Sequence, residues 1–356
     1  MIIPTVGNLV KETNKSFFLE INMKTIALLV ALWIGLYGCD DQATGNDIFT
    51  QNTLLHRGVN IGNALEAPNE GDWGVIIKDS YFTLIKQAGF SSVRIPIRWS
   101  AHALADSPYT IDARFLSRVD WVISQARTQD LAVIINMHHY GEIFRDPEGQ
   151  KNKLLSMWEQ IANRYKNHSS HVLFEILNEP HGNLTPEIWN EFFLDVLQII
   201  RRTNPQRTVL IGTAEWGGIN SLNKLTIPAE ESNVIVTVHY YNPFQFTHQG
   251  AAWVRGSDAW LGTTWSGMDS ERDAVTNEFS QIQQWGLSHN RPVNIGEFGA
   301  YSKADMASRV LWTSFVSREA EKRDFSWHYY EFCSGFGIYD PVNEQWRTDL
   351  LKALIP

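Results

Sequence analysis

From Leu54 to the C-terminus, short apolar runs alternate with longer segments of helical period. The runs are RGVNIGNALE (57–66), SSVRIPIRW (91–99), LAVIINMHHY (131–140), HVLFEILNEP (171–180), TVLIGTAEWGG (208–218), VIVTVHYYNP (234–243), VNIGEFGAY (293–301) and FSWHYYEF (325–332). Most are nearly continuous in apolar residues, as parallel strands covered on both faces must be. Between them lie amphipathic segments such as KNKLLSMWEQIANRYKN, whose Leu154, Leu155, Trp158, Ile161, Ala162 and Tyr165 share one helical face. Eight strand–helix units over roughly 300 residues predict an α/β fold, a single (β/α)8 TIM barrel, whose usual size is about 250 residues before loop insertions. An open doubly wound sheet has the same alternation, but no GxGxxG follows the first strand to support it.

The ends of the runs change the picture. Nearly every one begins apolar and finishes in chemistry: Asn63 and Glu66, Arg94, His138 and His139, Asn178 and Glu179, Glu215 and Trp216, His239 and Tyr241, Glu297, and Tyr330. In a barrel the C-terminal strand ends open onto one face, so these scattered residues are expected to converge on one cleft. A core-only explanation would bury many polar groups at a cost with no return. Trp216 fits the core or the cleft equally well. Glu175 shares the inward phase of Glu179 but lies deeper, which fits a paired structural carboxylate.

Glu179 and Glu297 stand out, because the fourth and seventh strands lie nearly across a barrel from each other. Facing carboxylates are the apparatus of glycosidic bond cleavage: one is protonated to release the leaving oxygen, the other ionised to attack the anomeric carbon or to activate water. The gap between them sets the stereochemistry, about 5–5.5 Å for retention and about 6.5–9.5 Å for inversion. Pro180 ends the fourth run and clamps the backbone beside Glu179.

Composition adds a substrate class and removes others. The chain has 356 residues, 44% hydrophobic and 19% charged, with material for a large core. Its net charge of -9, without an acidic block, argues against nucleic acid as a partner. Much of its 14 Trp, 11 Tyr and 18 Phe is expected in the core, and a surplus of tryptophan also suits a sugar cleft, where pyranose C–H faces pack on aromatic rings. Residues 23–38 combine Lys24 with an apolar stretch from Ile26 to Tyr37, too short to span a bilayer, and read as a signal peptide. The ending Leu36-Tyr37-Gly38-Cys39 resembles a bacterial lipobox, which would make Cys39 the lipidated first residue of the mature chain; cleavage of an ordinary secretory signal nearby is the alternative. Residues 1–22 then read as an over-extended start before Met23, residues 39–53 as a polar tether, and residues 54–356 as the catalytic domain. The expected location is the cell envelope of a bacterium, after secretion across the inner membrane. With Cys39 lipidated, Cys333 has no partner and no disulfide is expected.

RIPIRW, NMHHY, EILNEP, HYYNP and GEFG, in that order, resemble glycoside hydrolase family 5, the cellulase and mannanase family, over essentially all of residues 54–356. GNALEAPNEGDWG and NEPHGNLTPE are most similar to its thermophilic bacterial endoglucanase branch with mixed glucan and mannan activity. The resemblance implies that Glu179 is the general acid/base and Glu297 the nucleophile of a retaining enzyme. It makes Arg94 and Tyr241 hydrogen-bond donors to Glu297, and sets His239 beside Glu179. Asn178 would bond the sugar 2-hydroxyl and His138 the hydroxyls of the same sugar. Asn63, Glu66, His139, His248 and Trp253 match substrate-contacting positions. The chain departs from the family at Tyr330, where a tryptophan usually forms the floor under the reacting sugar; Trp327 is on the wrong face to replace it. The expected substrate is a β-1,4-glucan, including mixed-linkage glucan, with mannan, glucomannan or xyloglucan as alternatives. A monomer without cofactor or metal is expected. Two rival functions are a metallohydrolase built on His138, His139, His239 and Glu297, although HEXXH is absent, and a non-catalytic glycan-binding lipoprotein, which would need neither carboxylate.

Overall fold

The computed structural model describes residues 47–356, so the expected start, signal peptide and Cys39 lie outside the described residues. Eight parallel strands close into a barrel in chain order, each paired with the next and the last with the first. They are β1 Arg57–Asn60, β2 Ser92–Ile95, β3 Ala132–Asn136, β4 Val172–Glu175, β5 Val209–Gly212, β6 Val234–Tyr240, β7 Val293–Phe298 and β8 Ser326–Tyr329. Outer helices are α1 Asp79–Gln87, α2 Ala113–Thr128, α3 Pro147–Tyr165, α4 Pro186–Thr203, α5 Asp269–His289, α6 Met306–Glu321 and α7 Thr348–Leu354. The fifth crossover differs from the expectation: between β5 and β6 the longest helical piece is a 3-10 turn, Ile219–Lys224. Its short apolar content cannot build an amphipathic stripe, and its Ser221 and Lys224 instead bond the Glu215 carboxylate.

Strand phase explains why the runs look almost uniformly apolar. One phase, including Val59, Val93, Ile135, Phe174, Ile211, Val236, Ile295 and Trp327, packs outward against the helices in the main core. The inward phase is split by height. Near the bottom Ala132, Ile134, Leu173, Leu210 and Ile235 form a separate apolar cluster with Ile48 and Leu55. Elsewhere the inward positions are polar and hydrogen-bonded: Asn294 donates to the Ser326 hydroxyl at 2.7 Å and meets His328 at 3.2 Å, and Ser92 meets the other nitrogen of His328 at 3.0 Å. Such groups are tolerated inside only because each is partnered.

Ile48 and Leu55 belong to a helix, Ile48–Leu55, capped by Asp47. The tether expected over 39–53 is therefore corrected from Asp47 onward. Asn52 donates to the Asp324 carbonyl at 3.1 Å and accepts from Ser326 at 2.7 Å. IFTQNTLL alternates too little to announce a helix face, and only the open barrel floor gives its apolar residues somewhere to go.

Candidate active site

Arg94, His239 and Glu297 lie on strands, Asn63, His138, His139, Asn178, Glu179, Tyr241 and Tyr330 sit just past strand ends, and Glu66, His248 and Trp253 lie further out in the loops. Glu179 does not end β4, which stops at Glu175. The ladder breaks because the rim backbone must turn inward: Asn63, His139, Glu179 and Trp216 have φ of 62, 38, 47 and 66°, a region that non-glycine residues occupy only under constraint. The Asn178 N–H bonded to the Met137 carbonyl at 2.8 Å and the Trp216 N–H bonded to the Pro180 carbonyl at 3.2 Å brace this turn.

Glu297 reaches the interior through a bulge. Val238 pairs with Ile295 but His239 pairs with Glu297, so β7 carries one extra residue, Gly296. The bulge sends Glu297 inward and Phe298 outward, as bulges beside active sites commonly re-aim side chains. A Cβ at Gly296 would stand 2.4 Å from the Thr237 hydroxyl and 3.2 Å from His239 Nε2, so only glycine fits.

Arg94 organises the base of the cleft. Its Nε and Nη2 donate to the two oxygens of Glu175 at 2.6 and 2.7 Å. Nη1 donates to Asn60 at 2.8 Å and to Glu297 Oε1 at 2.7 Å, and Nη2 also reaches Asn178 Oδ1 at 2.7 Å. Glu175 is thus a structural partner, as its depth implied. Tyr241 donates to the second oxygen of Glu297 at 2.9 Å. His239 Nδ1 lies 2.7 Å from Glu179 Oε1 and 3.6 Å from Glu297 Oε2. Burial pushes the Glu297 carboxyl up, but His239, Arg94 and the Tyr241 hydroxyl outweigh it and hold the group below its ordinary value. Burial works against a charged His239, yet Glu297 and Glu179 raise it above the ordinary histidine value. One oxygen of Glu179, one of Glu297 and a His239 nitrogen lie within 4.8 Å of one another. That clustering also has the size of a metal site, but the Arg94 guanidinium already supplies the positive charge and occupies Glu297.

The family profile for cellulase (glycosyl hydrolase family 5) matches residues 48–335. The chain belongs to glycosyl hydrolase family 5. Endoglucanase H of Acetivibrio thermocellus is 39% identical over 314 residues, 86% of this chain and 33% of the relative. Cellulase/esterase CelE of the same species is 33% identical over 304 residues, 80% of this chain and 36% of the relative. The chain therefore spans about a third of the length of these curated relatives. Thermotoga maritima Cel5A solved in complex with cellobiose is 58% identical, with a TM-score of 0.86 over 86% of this chain and 100% of that one. Cel5A in complex with mannotriose matches with the same identity and TM-score.

The remaining candidates of this family 5 chain separate by exposure. Asn178 and His138 are buried at the cleft base, and His138 Nδ1 is 2.9 Å from Asn136, leaving Nε2 without a protein partner among the described residues. His139 is exposed and meets the half-exposed Trp73 edge to face at 5.4 Å. His248 is buried and stacks on Phe244 at 4.1 Å, while Trp253 is 61% exposed. Tyr330 is half-buried with its hydroxyl 3.4 Å from Asn63 Oδ1, and Asn63 donates to Ser334 at 2.9 Å. Trp327 is fully buried against Phe90 and Phe298, away from the cleft. Glu66 departs from its expected substrate contact. It is fully buried and accepts from the backbone N–H groups of Asn63 and Ala64, so it shapes the loop that presents Asn63. Trp216 resolves to the surface: 60% exposed, it stacks on His181 at 3.4 Å, and His181 in turn bonds the Glu179 carbonyl at 2.6 Å.

Sequence reasoning missed Asn60, Asn136, His181, Trp73 and the 333–336 turn. Asn60 and Asn136 carried a usable signal, a polar residue in the inward phase of an apolar run. Trp73 and His181 lie in loops, where no periodicity reports direction.

Proposed function

We propose that this chain is a retaining, endo-acting glycoside hydrolase that cleaves β-1,4-glucans, cellulose-type and mixed-linkage, by double displacement. The carrying observation is the close approach of Glu179 and Glu297, whose nearest oxygens lie within 4.8 Å. Carboxyl groups about 5–5.5 Å apart suit direct attack on the anomeric carbon, whereas inversion needs room for a water. Glu297, ionised and aimed by Arg94 and Tyr241, forms the bond to the anomeric carbon. Protonated Glu179 gives its proton to the departing glycosidic oxygen, and the bond between that oxygen and the anomeric carbon breaks. Glu179 then takes a proton from water, whose oxygen displaces Glu297 and releases a sugar of the original configuration. His239 bridges both carboxylates and holds Glu179 through this cycle.

The test is reducing ends and viscosity on barley glucan and carboxymethylcellulose, with product configuration read by proton NMR. Early loss of viscosity and a first-formed β-anomer are expected. Release of monosaccharide with little fall in viscosity would overturn the endo reading, and no release at all would favour a glycan binder. Glu297→Ala is expected to lose turnover by about 10⁴-fold or more while still binding oligosaccharide; activity within tenfold of wild type would remove Glu297 from its role. Activity unchanged by a chelator is expected, and full loss would revive the metal reading.

Glucomannan or mannan is proposed as a second substrate, supported by the mannotriose complex of Cel5A. Side-by-side rates on glucan, xyloglucan and glucomannan measure it. A monomer, secreted and lipid-anchored to the envelope through Cys39, is proposed from the lipobox-like LYGC. Metabolic labelling with a palmitate analogue, lost in Cys39→Ala, is the expected result.

A further inference from the structure

The turn after β8 is gathered on a buried carboxylate that the mechanism above does not use. Glu331 is fully buried and, among the described residues, has no ion-pair partner. Its oxygens accept from the N–H of Cys333 at 2.7 Å, of Ser334 at 2.8 Å and of Phe336 at 3.1 Å. Burial pushes its carboxyl up to about 7, against the pull of these same N–H groups. A charged or polar side chain in such a place is costly unless the geometry it enforces is needed.

The turn it closes leads back to the site on two sides. Ser334 accepts from Asn63, which faces the Tyr330 hydroxyl. Phe336 is nearly buried, with its ring at 5.6 Å from Tyr330, 5.6 Å from His248 and 6.2 Å from Tyr241, whose hydroxyl bonds the nucleophile. Gly335 is tightly packed as well, since a Cβ there would come within 2.6 Å of Tyr301. The carboxylate, the turn and the aromatic wall therefore form one continuous contact path to Glu297.

We propose that Glu331 is a positioning residue: by collecting three backbone N–H groups it sets Phe336 and Ser334, and through them the Tyr241 ring that aims Glu297 and the Asn63 side chain beside Tyr330. The inference rests on the hydrolase reading. It is tested in the full chain with Glu331→Ala and Glu331→Gln, assayed well below each variant's melting temperature. In Glu331→Ala, kcat falls about 10- to 100-fold with KM within about threefold. The rate of covalent inactivation by a 2-fluoro cellobioside, which reports attack by Glu297 alone, falls in parallel. Glu331→Gln keeps one acceptor oxygen in place and regains about tenfold of the loss. A Glu331→Ala variant with a lowered melting temperature but kcat within about twofold of wild type overturns the inference. If that variant does not fold, Phe336→Leu, which leaves the carboxylate nest intact, carries the test: a matching fall in kcat supports the proposal and an unchanged kcat overturns it. Wild-type protein that releases no sugar defeats the hydrolase reading instead, so the two failures are distinguishable.

Discussion

A guanidinium has five N–H donors, and in Arg94 every one is bound, two of them to Glu175 and one each to Asn60, Glu297 and Asn178. Glu175 supplies a charge that keeps this cation inside the barrel, so Glu297 is aimed by a group that cannot itself swing away. Tyr241 holds the other Glu297 oxygen, and burial together with the nearby Glu297 charge pushes its phenol well above the ordinary range, so it stays a donor. In the proposed role Glu297 attacks as the ionised carboxylate, and its surroundings hold it below the ordinary carboxylate value. Removing the Tyr241 hydroxyl takes away one of the causes of that lowering. Tyr241→Phe is accordingly expected to move the acid limb of kcat/KM to higher pH and to cut the maximum by about 10- to 100-fold. A pH–rate profile of the variant checks both. The limb reports Glu297 together with its neighbour His239 and not one residue alone.

At the level of elements, the site depends on one inserted residue. Strict alternation from Asn294 would point Gly296 and Phe298 inward and Glu297 outward; the bulge at Gly296 reverses this for the last residues of β7. Gly296→Ala forces a methyl against Thr237 and His239 and is expected to lower kcat by about tenfold or more through His239, with the fold kept. Steady-state kinetics beside circular dichroism separate the two effects. At the opposite end, the Ile48–Leu55 helix seals the barrel floor. Leu55 is fully buried there, so Leu55→Ala is expected to cost about 2–4 kcal/mol in denaturant unfolding. A value near zero would mean that the segment is a tether after all. The missing fifth outer helix is the same trade seen from sequence: the β5–β6 crossover is spent on Glu215 with its anchors Ser221 and Lys224, and on Trp216 stacked against His181.

For the molecule as a whole, buried carboxyls under the cleft couple stability to pH. Burial pushes Glu66 up from 4.5 to about 8 and Glu331 up from 4.5 to about 7. Between those values the folded chain holds protons that the unfolded chain releases. The contribution to stability is therefore complete below the unfolded value and is lost as pH rises through the folded one. His239, also raised, adds in the same direction. His138, His248 and His328, held low by burial, act the opposite way below about pH 6.5, so the decline belongs above it: melting temperature is expected to fall by several degrees from about pH 7 to about pH 9, and Glu66→Gln to flatten the decline. Calorimetry across that range checks it; a rising or flat wild-type curve would contradict the assignment.

How much was legible follows from what each pattern encodes. Apolar runs at regular spacing report burial, and eight of them with helices between require a closed or doubly covered sheet, so the barrel and its chemical rim could be read directly from residues 54–356. Glu179, Glu297, Arg94, His239 and Tyr241 were readable because residue type and strand position suffice to bring them to one face. Direction and depth were not readable. Whether Trp216 lies in the core or in solvent, whether Glu66 meets sugar or backbone, and whether Asp47–Asn52 hangs free or plugs the floor are questions about neighbours distant in the chain. The carboxylate gap belongs to the same class, because it is set by a barrel radius, a bulge and a guanidinium held by four other side chains. Periodicity is a local property, so the residue pattern was enough to say which groups would meet. How they meet waited on the folded chain, since distances and burial are sums over contacts that no local pattern contains.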